Sequence, residues 1–494
     1  MLPIYPGGHA AYQNFVVEQL RNHYANPADL PDTLLDIAER FWLKDLTGVD
    51  ALMRECYSRF GPEPRPPSCM LRSMMLSIAL GYPSYTKWVE QMKTVPAYAI
   101  LSGFEYGDTP GIGTFANFFS RLWQLDMSNI QSHEQPPKRK VKKPRKKGGK
   151  AESVEKQTVG ELIQILEKNA PSVDQPYSLL FKLFKQEFLD ESAARDLINP
   201  SALALSGDGT SIVTSAQQRK KRLCKCKEQG ITDCSCNRCF SQPDCDIGWD
   251  SHRGRFYHGY GLYMLTASGS ENDLPVFPIL HPASCHDSLG FASTFFTMRA
   301  FLPDYTVSKL LLDSAHDAMP VYEYCRKEHI HPFIDLNVKR GLRVKYKDDF
   351  TIGSDGVPVC MAGLKMRHDG VEQAKLRSKF RCPLMNRITG VCSCENPCST
   401  SKFGRTVHLA MKDNPRLINI PPRDTEEWKT EYAARTSSER CNKRIKNDFN
   451  LEAGHYRCTK MWYCSLYATM MLQHLVAWEL PHESAFRAAL KAVP

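Results

Sequence analysis

SALALSGDGTSI, Ser201 to Ile212, is where the chain changes character. Ala202 to Leu205 form an apolar run that reads as a short buried strand, and the polar SGDGT after it puts Asp208 at the strand's C-terminal end. Downstream, FYHGYGLYMLTA (Phe256 to Ala267) and PVFPILHPA (Pro275 to Ala283) read as antiparallel neighbours. A helix, FASTFFTMRAFL, a strand, VSKLLLDSAH, a helix, AMPVYEYCRKEH, and a strand, HPFIDLN, follow in order. Strands alternating with helices predict an α/β domain. Asp313 follows its apolar run as Asp208 follows the first one. Taken singly, Asp208 also fits an Asx turn and Asp313 a helix cap.

Upstream the texture is helical. LPDTLLDIAERFWLKDL, PSCMLRSMMLSIALGY and GIGTFANFFSRLWQL carry apolar residues at helical spacings, which predicts a separate all-α domain over residues 1–130. VGELIQILEKN and SLLFKLFKQEFLD read as entry helices to the larger domain, residues 161–494. Between the two, residues 131–160 form a linker. Within it PPKRKVKKPRKKGGK, Pro136 to Lys150, has nine Lys or Arg and no acid, against a net charge of +10 for the chain. Proline, glycine and like charges build no core, so the run reads as a flexible arm. Such an arm attracts a nucleic-acid backbone through counterion release, or simply solubilises a linker.

A chain of 494 residues is long enough for two or three domains. No stretch approaches the roughly eighteen uninterrupted apolar residues of a membrane span, and the N-terminus MLPIYPGGHAAYQ lacks the basic-then-apolar pattern of a secretory leader. A cytosolic protein is expected, in which eighteen cysteines are reduced thiols or metal ligands.

The stretch TEYAARTSSERCNKRIKNDF, Thr430 to Phe449, reads as one helix. At about 100° per residue, Tyr432, Arg435, Glu439 and Lys446 fall within an arc of roughly 60°. Alone, such a face is a solvated row of ion pairs. The order Tyr, two residues, Arg, three residues, Glu, six residues, Lys resembles the YREK signature of DDE transposases from bacterial insertion sequences, and all four positions match. RTVHLAMKDNPRL from Arg405, RTSSERCNKRIKNDFNLE from Arg435 and YATMMLQHLVAWEL from Tyr467 are similar to the same family. The likeness covers Ser201 to the end well and the earlier chain more loosely.

The resemblance implies an RNase H-like catalytic domain in which acids converge. Asp208, Asp313 and Glu439 would be the catalytic carboxylates and the ligands of Mg²⁺ or Mn²⁺, two ions about 3.5 to 4 Å apart acting on a phosphodiester. Asp317 also stands in LLLDSAHDAMP, but only Asp313 follows the strand directly, and Asp317 reads as the N-cap of the helix beginning near Ala318. Tyr432, Arg435, Lys443 and Lys446 would contact DNA phosphates. His286 and Asp287 resemble a recurrent HDS element with a supporting role, although a buried, hydrogen-bonded histidine fits His286 as well. Trp428 reads as a core or surface residue ahead of a stacking platform for a flipped base.

The family also carries a β-rich insertion, here residues 338–429. Within it lie Cys382, Cys392, Cys394 and Cys398; earlier, in the loop 222–246, lie Cys224, Cys226, Cys234, Cys236 and Cys239, followed by Cys245. Close cysteine pairs around a short polar loop have the proportions of zinc thiolate sites, and the earlier cluster is the stronger candidate for Zn²⁺, with free thiols the other reading.

The function implied is cutting of double-stranded DNA at the ends of the protein's own element and joining of the 3′-hydroxyls to target DNA, by a homodimer in the bacterial cytoplasm. A domesticated, non-catalytic DNA-binding protein and a nuclease of the same fold are the alternatives, and the retained acids and the long insertion argue against each in turn.

Overall fold

The computed structural model describes residues 8–58, 60–124, 157–215, 221–222, 225–226, 228–231, 238–239, 242, 244–269, 271–337, 344–347, 350–353, 355–386 and 388–491. The basic arm, Pro136 to Lys150, and Cys224, Cys234 and Cys236 lie outside the described residues. The chain is α/β, with helices first and a mixed sheet after them.

That sheet is built on β1, Leu203–Val213. After a two-stranded ladder of β2 (Lys221–Arg222) and β3 (Arg238–Cys239), the sheet is completed by β4 (Asp246–Asp250), β5 (Arg255–Ala267), β6 (Pro275–Pro282), β7 (Val307–Leu312) and β8 (His331–Ile334). The order is β4-β5-β1-β7-β8, with β6 also paired to β5. β4, β1 and β6 all run antiparallel to β5, whereas β7 and β8 run parallel to β1.

Asp208 is not at the end of its strand. β1 continues five residues further, with Asp208 opposite Met264 and Val213 opposite Gly259. The two glycines around Asp208 suggest a turn, but β5 offers ladder partners along the whole stretch, and pairing overrides the local preference. The glycines serve close approach instead: a Cβ at Gly207 would stand 2.7 Å from the Tyr263 hydroxyl, and one at Gly209 would stand 2.4 Å from Asp287 Oδ1.

The N-terminal helices do not close a core of their own. Pro67–Ala79 is buried on every side up to Ile78 and packs on the equally buried helix Thr459–Ala477. A helix without a polar face needs partners all round, and the far end of the chain supplies one. Arg40 Nη1 donates to the carbonyls of Leu475 (3.0 Å) and Trp478 (2.8 Å), which satisfies the open end of that helix. One continuous core runs from Tyr12 through the sheet to Leu490, so the segment expected to be a separate domain over residues 1–130 is packed into the body.

Between β8 and residue 429 stand two three-stranded antiparallel sheets. β9 (Val344–Lys347), β10 (Phe350–Ile352) and β11 (Pro358–Cys360) form one; β12 (Arg367–Glu372), β13 (Arg377–Arg381) and β14 (Thr406–Ala410) form the other. They share a small core that includes Phe350, Ile352, Phe380 and Leu409. Asp317 fastens this insertion to the body. It is fully buried, takes two hydrogen bonds from Arg416 (2.8 and 2.6 Å) and accepts from Tyr322 and the Asn337 N–H. It is therefore not a helix cap: the helix Met319–Lys327 has Ala318 at that position and no side-chain cap.

The single helix expected over Thr430–Phe449 is three pieces, Glu426–Ala433, Thr436–Lys443 and a π-turn, Arg444–Asp448. Bonds from Ala434 N to Glu431 O and from Arg435 N to Tyr432 O tighten the joint into a 3₁₀-like turn. Among the described residues no helix is long and apolar enough to cross a membrane.

Candidate active site

β1 and β7 set the first two carboxylates side by side. Ser206 pairs with Leu311 in the parallel register, so two residues further along Asp208 comes level with Asp313. The helix Thr436–Lys443 crosses β1 and β5, burying Ser437, Ser438, Cys441 and Asn442 and turning Glu439 outward. Asn442 Nδ2 donates to Asp208 Oδ2 at 3.3 Å, which ties helix and strand at the site. Asp287, in the first turn of the helix Asp287–Phe301, brings a fourth carboxylate against Gly209.

Electrostatics bind these four together. Burial pushes the Asp208 carboxyl up to about 7, and the negative charges of Asp313, Asp287 and Glu439 push the same way, opposed by His316. Asp287 is raised as well, mainly by burial. Asp313 goes the other way: burial acts on it too, but the hydrogen bond and charge of His316, the Ala315 N–H and the Arg435 guanidinium outweigh it and hold the carboxyl below its ordinary range. The site is an acidic cluster in which one member is strained by its neighbours and another is held ionised.

His316 is the residue that sequence reasoning missed. It is buried, with Nδ1 2.6 Å from Asp313 Oδ1 and Nε2 2.8 Å from the Tyr263 hydroxyl. The ring is held at both nitrogens, by the Asp313 carboxylate at Nδ1 and the Tyr263 hydroxyl at Nε2, which fixes its orientation. The spacing D-x-x-H within DSAH could have pointed to it, because a 3₁₀ turn, Ser314–His316, places residues three apart on one side. Tyr263 and Asn442 carried no comparable mark.

Arg435 reaches Glu439 with a 2.6 Å hydrogen bond. Tyr432 lies beside Arg435 and stacks on Trp428, ring centroids 4.6 Å apart. Trp428 is buried against Phe333 and Leu311, a core residue. Lys446 is held 2.7 Å from the Ser211 carbonyl and is only 17% exposed, so it braces the end of β1, while Lys443 is exposed on the rim. Asp208, Asp287, Glu439, Lys443 and Lys446 line an open groove of about 960 Å³ whose far wall carries Trp249 and Arg253. Trp249 is 56% exposed and meets the exposed Phe256 edge-on at 4.8 Å.

The oxygen donors are of the kind that Mg²⁺ or Mn²⁺ prefers, and both the burial of Asp208 and the neighbouring negative charges that lift it further are what a divalent cation would offset. Among the described residues no group of three or more His, Cys, Asp or Glu side chains is arranged to hold an ion with the side chains as they stand. Glu439 is engaged by Arg435 and Asp313 by His316; ligation by both acids requires Glu439 to turn from the arginine. No protein-family model matches the chain, and no curated protein matches it.

Proposed function

We propose that the chain is a metal-dependent DDE transposase, which cuts double-stranded DNA at the ends of its own element and joins the freed 3′-hydroxyls to target DNA. The observation that carries this reading is that Asp208 and Glu439 line one groove edged by lysines and that Asp313, on the strand beside Asp208, acts on the same carboxylate, the three being drawn from a strand, a strand end and a helix far apart in sequence. The strand order, three antiparallel strands and then two parallel ones, supports an RNase H-like domain for residues 161–494. The same reading has the protein act as a homodimer in the bacterial cytoplasm, with the N-terminal helices and the basic arm contributing to DNA binding.

In this reading each residue has a task. Two divalent cations, Mg²⁺ or Mn²⁺, supply an activated oxygen nucleophile and charge stabilisation at phosphorus. Asp208, Asp313 and Glu439 would hold them. His316, gripped by Tyr263, keeps Asp313 ionised and aimed; Asn442 orients Asp208. Arg435 neutralises Glu439 until phosphate oxygens compete for the guanidinium, a planar fork suited to them. Lys443 meets the backbone at the rim, and Lys446 stiffens the strand beneath it.

The test incubates purified protein with Mg²⁺ or Mn²⁺ and labelled DNA bearing the sequences that flank its gene. Cleavage at the element boundary is expected, with loss of at least a thousandfold in rate on Asp313→Ala or Glu439→Ala while DNA binding is retained, the order of effect of removing a cooperating catalytic group. An active Asp313→Ala protein would refute the assignment. Binding without cleavage in either metal favours the domesticated DNA-binding protein.

A further inference from the structure

Five cysteines of the insertion line one small cavity. Cys360, at the end of β11, meets Cys382, Cys392, Cys394 and Cys398, which come from the loop after β13, around a space of about 30 Å³. A space of that size admits one or two water-sized bodies and therefore one metal ion. None of the five is in a disulfide. Cys382, the most buried, has its thiol pushed up by burial and further by the sulfurs of Cys392 and Cys398, so these three lie within electrostatic reach of one another. Cys392, bridged to Met385, and Cys394 both line the cavity.

The loop from Cys382 to Arg405 has little else to hold it. Its described residues form no strand or helix beyond an isolated bridge between Met385 and Cys392. Met385 is buried, but the other large apolar side chains toward the loop's tip face outward: Ile388 is 94% exposed, Val391 63% and Phe403 56%, and Met361 beside Cys360 is 74% exposed. A loop of this length without its own structure is uncommon unless something fixes it. Hydrophobic burial does not. Cross-linking through a metal does so in small segments that lack a core.

We propose that Cys382, Cys392 and Cys398, with Cys360 or Cys394 as the fourth ligand, form a structural zinc site that clamps this loop onto the edge of the β9–β11 sheet. The five cysteines line the cavity, and their side chains as they stand are not drawn to one centre. Binding requires small rotations about the Cα–Cβ bonds, release of the weak bond from Cys394 Sγ to the Asn396 carbonyl if Cys394 is the ligand, and loss of a proton from each ligating thiol to solvent. The site is separate from the carboxylate cluster, and its occupancy is read without DNA, so it stands or falls independently of the proposed activity.

The experiment counts zinc. Full-length protein purified under reducing conditions and dialysed is expected to retain at least one equivalent of zinc per chain. The Cys382→Ser, Cys392→Ser double variant is expected to hold one equivalent less, whereas the Cys226→Ser, Cys239→Ser variant, in the other cysteine-rich loop, keeps that equivalent. Single Cys360→Ser and Cys394→Ser variants identify the fourth ligand by which of them lowers retention. Differential alkylation of the wild-type chain, mapped by mass spectrometry, gives a second readout that needs no variant. Cys382, Cys392 and Cys398 should be protected until a chelator is added. Zinc-free wild-type protein, an unchanged zinc count in the double variant, or equal alkylation with and without chelator would each overturn the proposal.

Discussion

The body of the protein and the insertion between β8 and residue 429 are held together by different means. In the body, the helices Pro67–Ala79 and Thr459–Ala477 are buried over most of their length, and one core joins them to the sheet. In the insertion the strands are three to six residues long, the core is a handful of side chains, and large apolar residues such as Ile388 and Met361 stand in solvent. Short strands cannot bury enough surface to offset the entropy of ordering them. What compensates is directional: Arg416 on Asp317, and Arg423, itself buried, donating to the carbonyls of Ile334, Leu417 and Arg416 and to the Tyr322 hydroxyl. The carboxylates of the candidate site sit on the part held by burial, where backbone positions are best fixed.

Breaking the fastening should therefore damage one region and spare the other. Asp317→Ala leaves Arg416 without its carboxylate in a largely buried place, and removal of one partner of a buried pair costs about 3 to 5 kcal/mol. The expected result is early protease cleavage within the insertion, with unfolding of the body little changed. A single cooperative transition, shifted as a whole, would show that the two regions are one unit. The next largest effect belongs to the body. His474 is fully buried, 2.9 Å from the Pro275 carbonyl and 2.8 Å from Ser192 Oγ, which in turn accepts from Trp478 Nε1. Burial lowers its pKa to about 4, and lowers that of His281 to about 4 as well. Since the folded values lie below the ordinary one, the stability these residues confer is complete above about pH 6.5 and is lost as pH falls toward 4. At about 1.4 kcal/mol per unit, each accounts for on the order of 3 kcal/mol. His474→Gln, which keeps a donor and an acceptor, should remove about 3 kcal/mol of the stability lost between those pH values, a loss that the raised Asp208 carboxyl opposes; an unchanged slope would place the acid sensitivity elsewhere.

How far the sequence foretells this structure depends on whether the cause is local. Five strands of the sheet, though not β4, and a helix at Glu439 are legible, because apolar runs and helical spacing report which face is buried. Three features are not. β1 passes through SGDGT because β5 pairs with it, and no local propensity announces a partner fifty residues on. Asp317 looks like a cap because a cap is a short-range pattern, whereas Arg416 lies 99 residues away. The N-terminal helices looked self-sufficient, yet the apolar surface of Pro67–Ala79 on all sides was the sign that a distant helix must cover it. In the site, Asp208 and Asp313 are marked by the apolar runs before them and Glu439 by the YREK resemblance, but Tyr263 and Asn442 act through a single hydrogen bond each, and a lone tyrosine or asparagine carries no pattern.

Exposed apolar side chains occur in both regions, and they should not mean the same thing. Ile388 is exposed because its loop has no core to enter, whereas Trp249 is exposed on β4, a strand held in register with β5 from Asp246 opposite Gly259 to Asp250 opposite Arg255. Its ring stands on a fixed support at the groove wall, buttressed by Phe256, so the entropy cost of presenting it is already met by the fold. A rigid aromatic beside cations suits a nucleobase from a melted strand end, and such stacking is worth about 1 to 3 kcal/mol per base. Trp249→Ala should leave thermal stability within about 0.5 kcal/mol, as surface substitutions do, yet weaken binding of DNA with unpaired ends roughly five- to a hundredfold. Ile388→Ser, an equally exposed change in the insertion, should leave that binding unaltered. If Trp249→Ala binds as tightly as the wild type, the DNA does not run past β4, and the path from the carboxylates must follow Lys443 and the helix instead.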